Sequence, residues 1–262
     1  MNAQSSHLEK VVLTGAAGRL GRLLRPALAA HTGDLISSDR VRIDQQYTGE
    51  TFTACDLSDL TATERLLAGA GAVVHFGGIS NQRAFNELLD GNFVGAHNVF
   101  DAAQRAGVRR MVYASSNHAV GFYSADQLLD TQVAYRPDSF YGLSKAFGEL
   151  LGRFYHDRYG LEVVCLRIGS CIERPTKARH LSTWLSHEDL VRLVLASLTS
   201  EGVGFEILYG VSNNARAWWT NPDGPVRYRP QDSADAFIDQ VTGADENDGM
   251  FQGGQACLRE VR

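Results

Sequence analysis

The sequence predicts an α/β protein built on a doubly wound parallel sheet, with a small C-terminal portion added to it. Three observations predict this. Short β-branched apolar runs alternate with longer segments of helical periodicity over roughly the first two thirds of the chain. Those runs are apolar along their length, as strands buried between two layers of helices must be. A glycine turn joins the first run to the first helix.

Residues 10–14 form the first expected strand and residues 20–30 the first helix. Residues 35–38 are the second strand, ending at Asp39, and residues 52–55 the third. Residues 58–68 come next as a helix with Ser58 as its candidate cap. Residues 72–75 are the fourth strand and run into Phe76, Gly77 and Gly78. Between residues 84 and 106, Leu89, Phe93, Ala96, Phe100 and Ala103 recur at helical spacing, which predicts one long helix with one buried stripe, stopped at Gly107. Residues 110–115 are the fifth strand. Residues 139–159 carry Phe140, Leu143, Phe147, Leu150 and Phe154 on one face of another long helix, stopped at Gly160. Residues 162–166 are the sixth strand. Beyond Arg167 the alternation weakens: residues 187–200 read as helix, 205–209 as strand and 234–241 as helix. No repeat or low-complexity segment interrupts the pattern.

The chain has 262 residues, enough for one large domain, and its 44% apolar and 21% charged content is that of a globular protein. A net charge of −5 argues against a general nucleic-acid binder. No apolar stretch approaches the ~18 residues of a membrane helix. The first ten residues lack the apolar core of a signal peptide. Cys55, Cys165, Cys171 and Cys257 show no paired spacing and read as free thiols of a cytoplasmic protein. None of the histidine spacings is that of a metal site, and His187, Glu188 and Asp189 read as a helix cap.

Gly15, Gly18 and Gly21 come after a strand and open a helix, with Arg19 and Leu20 between the last two. A helix N-terminus presents N–H groups and a positive dipole end, and glycines let a pyrophosphate approach the backbone. This context makes the turn a dinucleotide site. Asp39, 18 residues after Gly21, stands where a carboxylate accepts from both adenosine ribose hydroxyls. The same charge repels a 2′-phosphate, so NAD is expected over NADP, although Arg40 is a neighbour that could receive that phosphate. Asp56 and Leu57, after the third strand, are expected beside the adenine.

Tyr141 and Lys145 lie four residues apart, hence on one helix face, off the apolar stripe. A phenol is a poor base at neutral pH unless a nearby cation favours its phenolate. Ser115, Ser116, Asn117 and His118 end the fifth strand just upstream.

Together the glycine turn, the serine pair and the Tyr-x-x-Ser-Lys run resemble the short-chain dehydrogenase/reductase superfamily, extended type, a Rossmann fold; Asn92 matches an asparagine that the superfamily often carries. Further runs resemble its uronate dehydrogenases: residues 75–80, 115–118, 121–123, 167–171, 181–189, 218–219 and 251–254. That resemblance implies a role for each site residue. Tyr141 is the general base, Lys145 its partner and a ribose contact, and Ser116 the catalytic serine, five residues before Gly121. Phe76, Gly77, Gly78 and Ile168 line the nicotinamide half of NAD. Ser80, Ser116, Asn117, His118, Ser170 and Arg179 surround the substrate. A guanidinium suits the C6 carboxylate of a hexuronate, with Arg174 and Lys177 as alternatives to Arg179. By the same resemblance the chain is one domain, with residues 1–166 mainly NAD-binding core and 167–262 mainly substrate-side insertions and caps. The implied reaction is NAD-dependent oxidation of C1 of D-glucuronate or D-galacturonate, in a cytoplasmic homo-oligomer with no nucleic-acid or membrane partner. Rival readings are a nucleotide-sugar epimerase or dehydratase, for which the 117 residues after Lys145 leave little room, and an NAD-sensing regulator, which would have lost the dyad.

Overall fold

A computed structural model describes the protein at residues 10–241 and 249–259. Its strands are β1 (Val11–Thr14), β2 (Leu35–Asp39), β3 (Glu50–Ala54), β4 (Ala72–His75), β5 (Arg110–Ser116), β6 (Glu162–Ile168), β7 (Ser170–Cys171), β8 (Trp184–Leu185) and β9 (Phe205–Gly210). Its α-helices are α1 (Arg19–His31), α2 (Leu60–Leu67), α3 (Phe85–Leu88), α4 (Gly95–Arg105), α5 (Phe140–Tyr159), α6 (His180–Thr183) and α7 (His187–Thr199). Seven parallel strands make one sheet in the order β3-β2-β1-β4-β5-β6-β9, and β7 and β8 pair as a small parallel ribbon. The order reverses between β1 and β4, which pair in register from Val11↔Ala72 to Thr14↔His75. In a sheet of this kind the crevice at the carboxyl ends of such a strand pair is where ligands bind.

Alternation along the strands divides the core. Val11 and Leu13 pack with Leu24, Leu28, Leu190 and Leu193 on one side of the sheet. Val12, Val73 and Met111 pack with Leu66, Val99, Phe100 and Tyr155 on the other. Helices α1 and α7 cover the first side, and α2, α4 and α5 the second.

Several local expectations are corrected. Asp59, not Ser58, caps α2: its Oδ1 accepts from Ala62 N at 3.0 Å, while Ser58 donates its N–H and its hydroxyl to Asp56. The single helix expected between residues 84 and 106 is α3, a π-helical turn (Leu89–Val94) and α4. That wider turn changes the register, so Ala96, Phe100 and Ala103 are buried while Leu89 is exposed and Phe93 half-buried. Ala234–Gln240 winds as a 3-10 helix rather than an α-helix, with Ser233 accepting from Asp235 N at its start. Ser186 caps α7, leaving His187, Glu188 and Asp189 in its first turn.

Helix α5 turns its apolar spacing outward. Leu150 and Phe154 are each 54% exposed, and Leu143 is exposed too. Its inner face carries Gly142, Ser144, Ala146, Gly148 and Gly152 together with Lys145 and Glu149. The small residues bring the helix close to the sheet: a Cβ added at Gly148 would overlap the Tyr113 ring. The buried carboxylate of Glu149 accepts from Arg167 Nη2 at 2.9 Å and from Ser115 Oγ, joining α5 to β5 and β6.

Candidate active site

Thr14, at the end of β1, places its hydroxyl 2.7 Å from His75 Nδ1 and accepts from Gly77 N at 3.2 Å. These bonds tie the turn after β1 to the turn after β4. The glycine turn lies against that junction. Gly15 has a φ of +73°, and a Cβ there would overlap the carbonyl of Phe76; one at Gly21 would overlap the carbonyl of Gly15. Gly18 is the N-cap of α1 and makes no side-chain cap bond. Asp39 Oδ2 accepts from Ala17 N at 3.0 Å, which holds the carboxylate beside the turn. Ser38 Oγ, buried next to it, has no hydrogen-bond partner among the described residues. A glycine cradle, a helix N-terminus, a carboxylate at the end of β2 and an orphaned hydroxyl together fit a dinucleotide.

One cavity of about 570 Å³ runs along these carboxyl ends, and every residue expected at the site lines it. At the cofactor part are Gly15, Gly18, Arg19, Leu20, Gly21, Asp39, Asp56 and Leu57, with Phe76, Gly77, Gly78 and Ile168 further along. Ser80, Ser116, Asn117, His118, Tyr141, Lys145, Ser170 and Arg179 line it too. A second cavity of about 370 Å³ shares Ser80, His118, Tyr141, Arg179 and His180, so these five mark one end of the first. Arg174 lines neither cavity and Lys177 only the second. Arg40 is exposed and lies 3.9 Å from Asp56 rather than on Asp39.

Tyr141 and Lys145 project from the first turns of α5, whose N-cap Ser139 accepts from Gly142 N at 3.0 Å. Burial pushes the Tyr141 phenol up to about 12; a hydrogen bond from Ser116 opposes the rise and the Asp138 charge adds to it. Burial lowers the Lys145 ammonium to about 8. His75, also buried and facing the Lys145 charge, falls to about 3 and stays neutral. The phenol in this pocket is therefore a weaker acid than a free tyrosine, and Lys145 is a cation held at the edge of neutrality.

Three further groups position the site. Asp138, fully buried, accepts from His118 Nδ1 at 2.6 Å and from Ser139 Oγ at 2.8 Å. Its only local signal is its place beside the Ser139 cap; the glycines that make room for it, Gly121 and Gly253, lie far away in the chain. Gln252 bonds to Asn117 and Arg179 from the C-terminal segment. Asn92 lies in the π-helical turn, where its amide bonds both the N–H and the C=O of Ile79 and donates to Ser144 Oγ at 3.0 Å. That asparagine fixes the Gly78–Ser80 turn against α5. Arg179 itself donates to Ser170 Oγ at 3.2 Å. Among the described residues no group of histidine, cysteine and carboxylate side chains is arranged to hold a metal ion, and the four cysteines are free.

Comparison with known proteins agrees with this geometry. Residues 11–186 match the family model of the NAD dependent epimerase/dehydratase family. The chain is 42% identical over 252 residues to a uronate dehydrogenase of Pseudomonas syringae pv. tomato, covering 94% of this chain and 92% of that protein. It is 40% identical to one of Agrobacterium fabrum, covering 94% and 96%. A crystal structure of uronate dehydrogenase from Agrobacterium tumefaciens, a tyrosine-to-alanine mutant complexed with NAD, superposes with a TM-score of 0.93 at 38% identity, covering 97% of this chain and 98% of that one. With a glycine turn, a Tyr–Lys pair on one face of α5 and an adjoining serine built as described, the chain belongs to the NAD dependent epimerase/dehydratase family and, within it, to the uronate dehydrogenases.

Proposed function

We propose that the protein oxidises the anomeric carbon of a hexuronate, D-glucuronate or D-galacturonate, to the aldarolactone with NAD as acceptor. The observation that carries this reading is one continuous cavity that holds the Asp39 cradle, the Ser116–Tyr141–Lys145 group and Arg179 together. Bound NAD supplies a nicotinamide that accepts hydride. The glycine turn and Asp39 would hold its pyrophosphate and adenosine ribose, and Phe76, Gly77, Gly78 and Ile168 its nicotinamide half.

The rest is done by this chain. Arg179 takes the C6 carboxylate, for which a guanidinium is the fork-shaped donor. Asp138 commits His118 Nδ1, which leaves Nε2 for a sugar hydroxyl. Ser116 hydrogen-bonds the Tyr141 phenol and lines the cavity where the C1 oxygen must lie. Tyr141 takes the C1 hydroxyl proton as the C1–H electron pair departs as hydride, and C1 becomes the lactone carbonyl. Burial makes the phenolate costly, so it forms only with the Lys145 ammonium facing it across one helical turn. This is where a buried lysine, expensive to the fold, serves the chemistry.

The chain reads as one domain because β9, late in the sequence, pairs with β6 in the same sheet as β1. We read the exposed apolar face of α5, with Leu143, Leu150 and Phe154, as the seat of a second copy in a homo-oligomer. No helix among the described residues is long and apolar enough to cross a membrane. Free thiols suit the cytoplasm.

The test is NADH absorbance on mixing the protein with NAD and each uronate, with NADP and with glucose and galactose in parallel. Reduction of NAD by uronates alone is expected. Reduction by neutral sugars to the same extent would remove the anion contact from the account, and no reduction by any sugar would overturn the reading.

A further inference from the structure

The C-terminal segment reaches the substrate end of the cavity at residues 251–254, a run whose chemistry the reaction above leaves unused. We propose that Gln252 is a specificity-determining positioning residue, whose main-chain carbonyl sets Arg179 and Asn117 in the arrangement that receives the substrate carboxylate. The inference rests on the reading of this cavity as a uronate site.

Gln252 is fully buried. Its carbonyl oxygen accepts from Arg179 Nη2 at 2.8 Å and from Asn117 Nδ2 at 3.3 Å, which uses both lone pairs of that atom. The side chain fixes the carbonyl in place. Its Oε1 accepts from Trp219 Nε1 at 2.6 Å, and its Nε2 donates to the carbonyls of Gln127 at 2.7 Å and Ser124 at 3.1 Å. Its own N–H donates to Tyr123 O at 2.8 Å. Every polar atom of this residue has a hydrogen-bond partner. The bonds tie the tail to the loop after β5 and to Trp219, which fixes where the carbonyl points.

The next two glycines fit the same purpose. A Cβ at Gly253 would overlap the Asp138 carboxylate that orients His118. Gly254 has a φ of +60°, and a Cβ there would lie 2.9 Å from Arg179 Nε. The run is therefore shaped around two charged side chains of the site. A carbonyl orients a guanidinium plane without adding an opposing full charge. Ser170 Oγ, at 3.2 Å, is another acceptor on Arg179.

The experiment compares wild type with Gln252→Leu, Gly254→Ala, Arg179→Ala and the Gln252→Leu/Arg179→Ala double variant, each checked for a cooperative thermal transition. The readouts are KM and kcat with D-glucuronate and the affinity for NADH by fluorescence. Gln252→Leu leaves several buried partners unsatisfied and can fail to fold; Gly254→Ala, which displaces Arg179 while keeping those bonds, then carries the test. The expected result is a uronate KM raised about tenfold or more in both variants, with kcat changed by less than about threefold and NADH affinity unchanged. The double variant is no worse than Arg179→Ala alone, since Gln252 acts through that residue. An unchanged uronate KM in a folded variant overturns the inference. So does a loss that adds to that of Arg179→Ala, or one that falls equally on NADH affinity, since either makes Gln252 structural only. A wild type that oxidises no uronate overturns the functional reading itself and is recognised before any variant is compared.

Discussion

The Lys145 ammonium nitrogen lies 5.6 Å from the centre of the Tyr141 ring, on the same inner face of α5, and 5.3 Å from that of Tyr113. Both rings attract a cation, yet burial lowers this ammonium from 10.5 to about 8, so holding its charge here costs stability. Between those two values the native protein binds fewer protons than the unfolded chain, so the stability contributed by this group rises with pH there. Below about 8 both states are charged and the full penalty stands. Lys145→Met should therefore be inactive yet more stable than wild type at pH 7, by up to about 3 kcal/mol from that lowering. Thermal melts of both proteins from pH 7 to 10 check this. The gap should be widest at pH 7 and narrow as pH rises, and a variant less stable at pH 7 would contradict it.

Tyr141→Phe keeps the ring and removes the proton acceptor. It should lower kcat by about 10²–10⁴-fold, the range of a positioned general base, with NADH affinity little changed. Steady-state kinetics and NADH fluorescence separate the two effects. A variant that retains most of kcat would move the base elsewhere.

We propose that Asp39 sets the choice of cofactor. Both of its oxygens are engaged by backbone N–H groups, Oδ2 by Ala17 and Oδ1 by Val41, each at 3.0 Å, so its charge is fixed at the end of β2. Asp39→Ser should weaken NAD and improve NADP, shifting the ratio of kcat/KM values by at least about tenfold, with Arg40 free to turn from Asp56 toward the new phosphate. Unchanged discrimination would place the selection elsewhere.

Glu149 sits one turn beyond Lys145 and is paired with Arg167, the residue before Ile168. Both are essentially without solvent exposure. Truncation leaves a buried, unpaired guanidinium, so Glu149→Ala should cost about 3–5 kcal/mol of stability in denaturant titration. A loss under about 1 kcal/mol would show that the pair is dispensable to the packing of α5.

These last residues also show where the sequence was legible and where it was not. Strand runs, the glycine turn and the acid after β2 are local signals, because strand burial and turn chemistry depend on neighbours in the chain. Phe140, Leu143, Phe147, Leu150 and Phe154 correctly mark α5 as a helix, but periodicity cannot say which way a face turns. The inner face is polar because Arg167 and Ser115 satisfy Glu149, and those partners come from β6 and β5. The π-helical turn at Leu89–Val94 is likewise set by tertiary bonds, among them those of Asn92 to Ile79 and Ser144. Ser58 and Asp59 are both good caps by type, and only the chain path chose between them. At the site, residues on short motifs are visible in the sequence, as is the 251–254 run, while the positioning roles of Asp138 and Gln252 are hidden because the glycines and tryptophan that accommodate them are remote along the chain.

The central claim is that hydride leaves C1 of a uronate and is not returned to the sugar, as it would be in an epimerase or dehydratase. The direct measurement is to supply D-glucuronate deuterated at C1 with NAD and to trace the label by mass spectrometry. The account predicts one deuterium in each NADH formed and an aldarolactone lacking it. Unlabelled NADH, or label retained in a rearranged sugar with no net NADH, would contradict it.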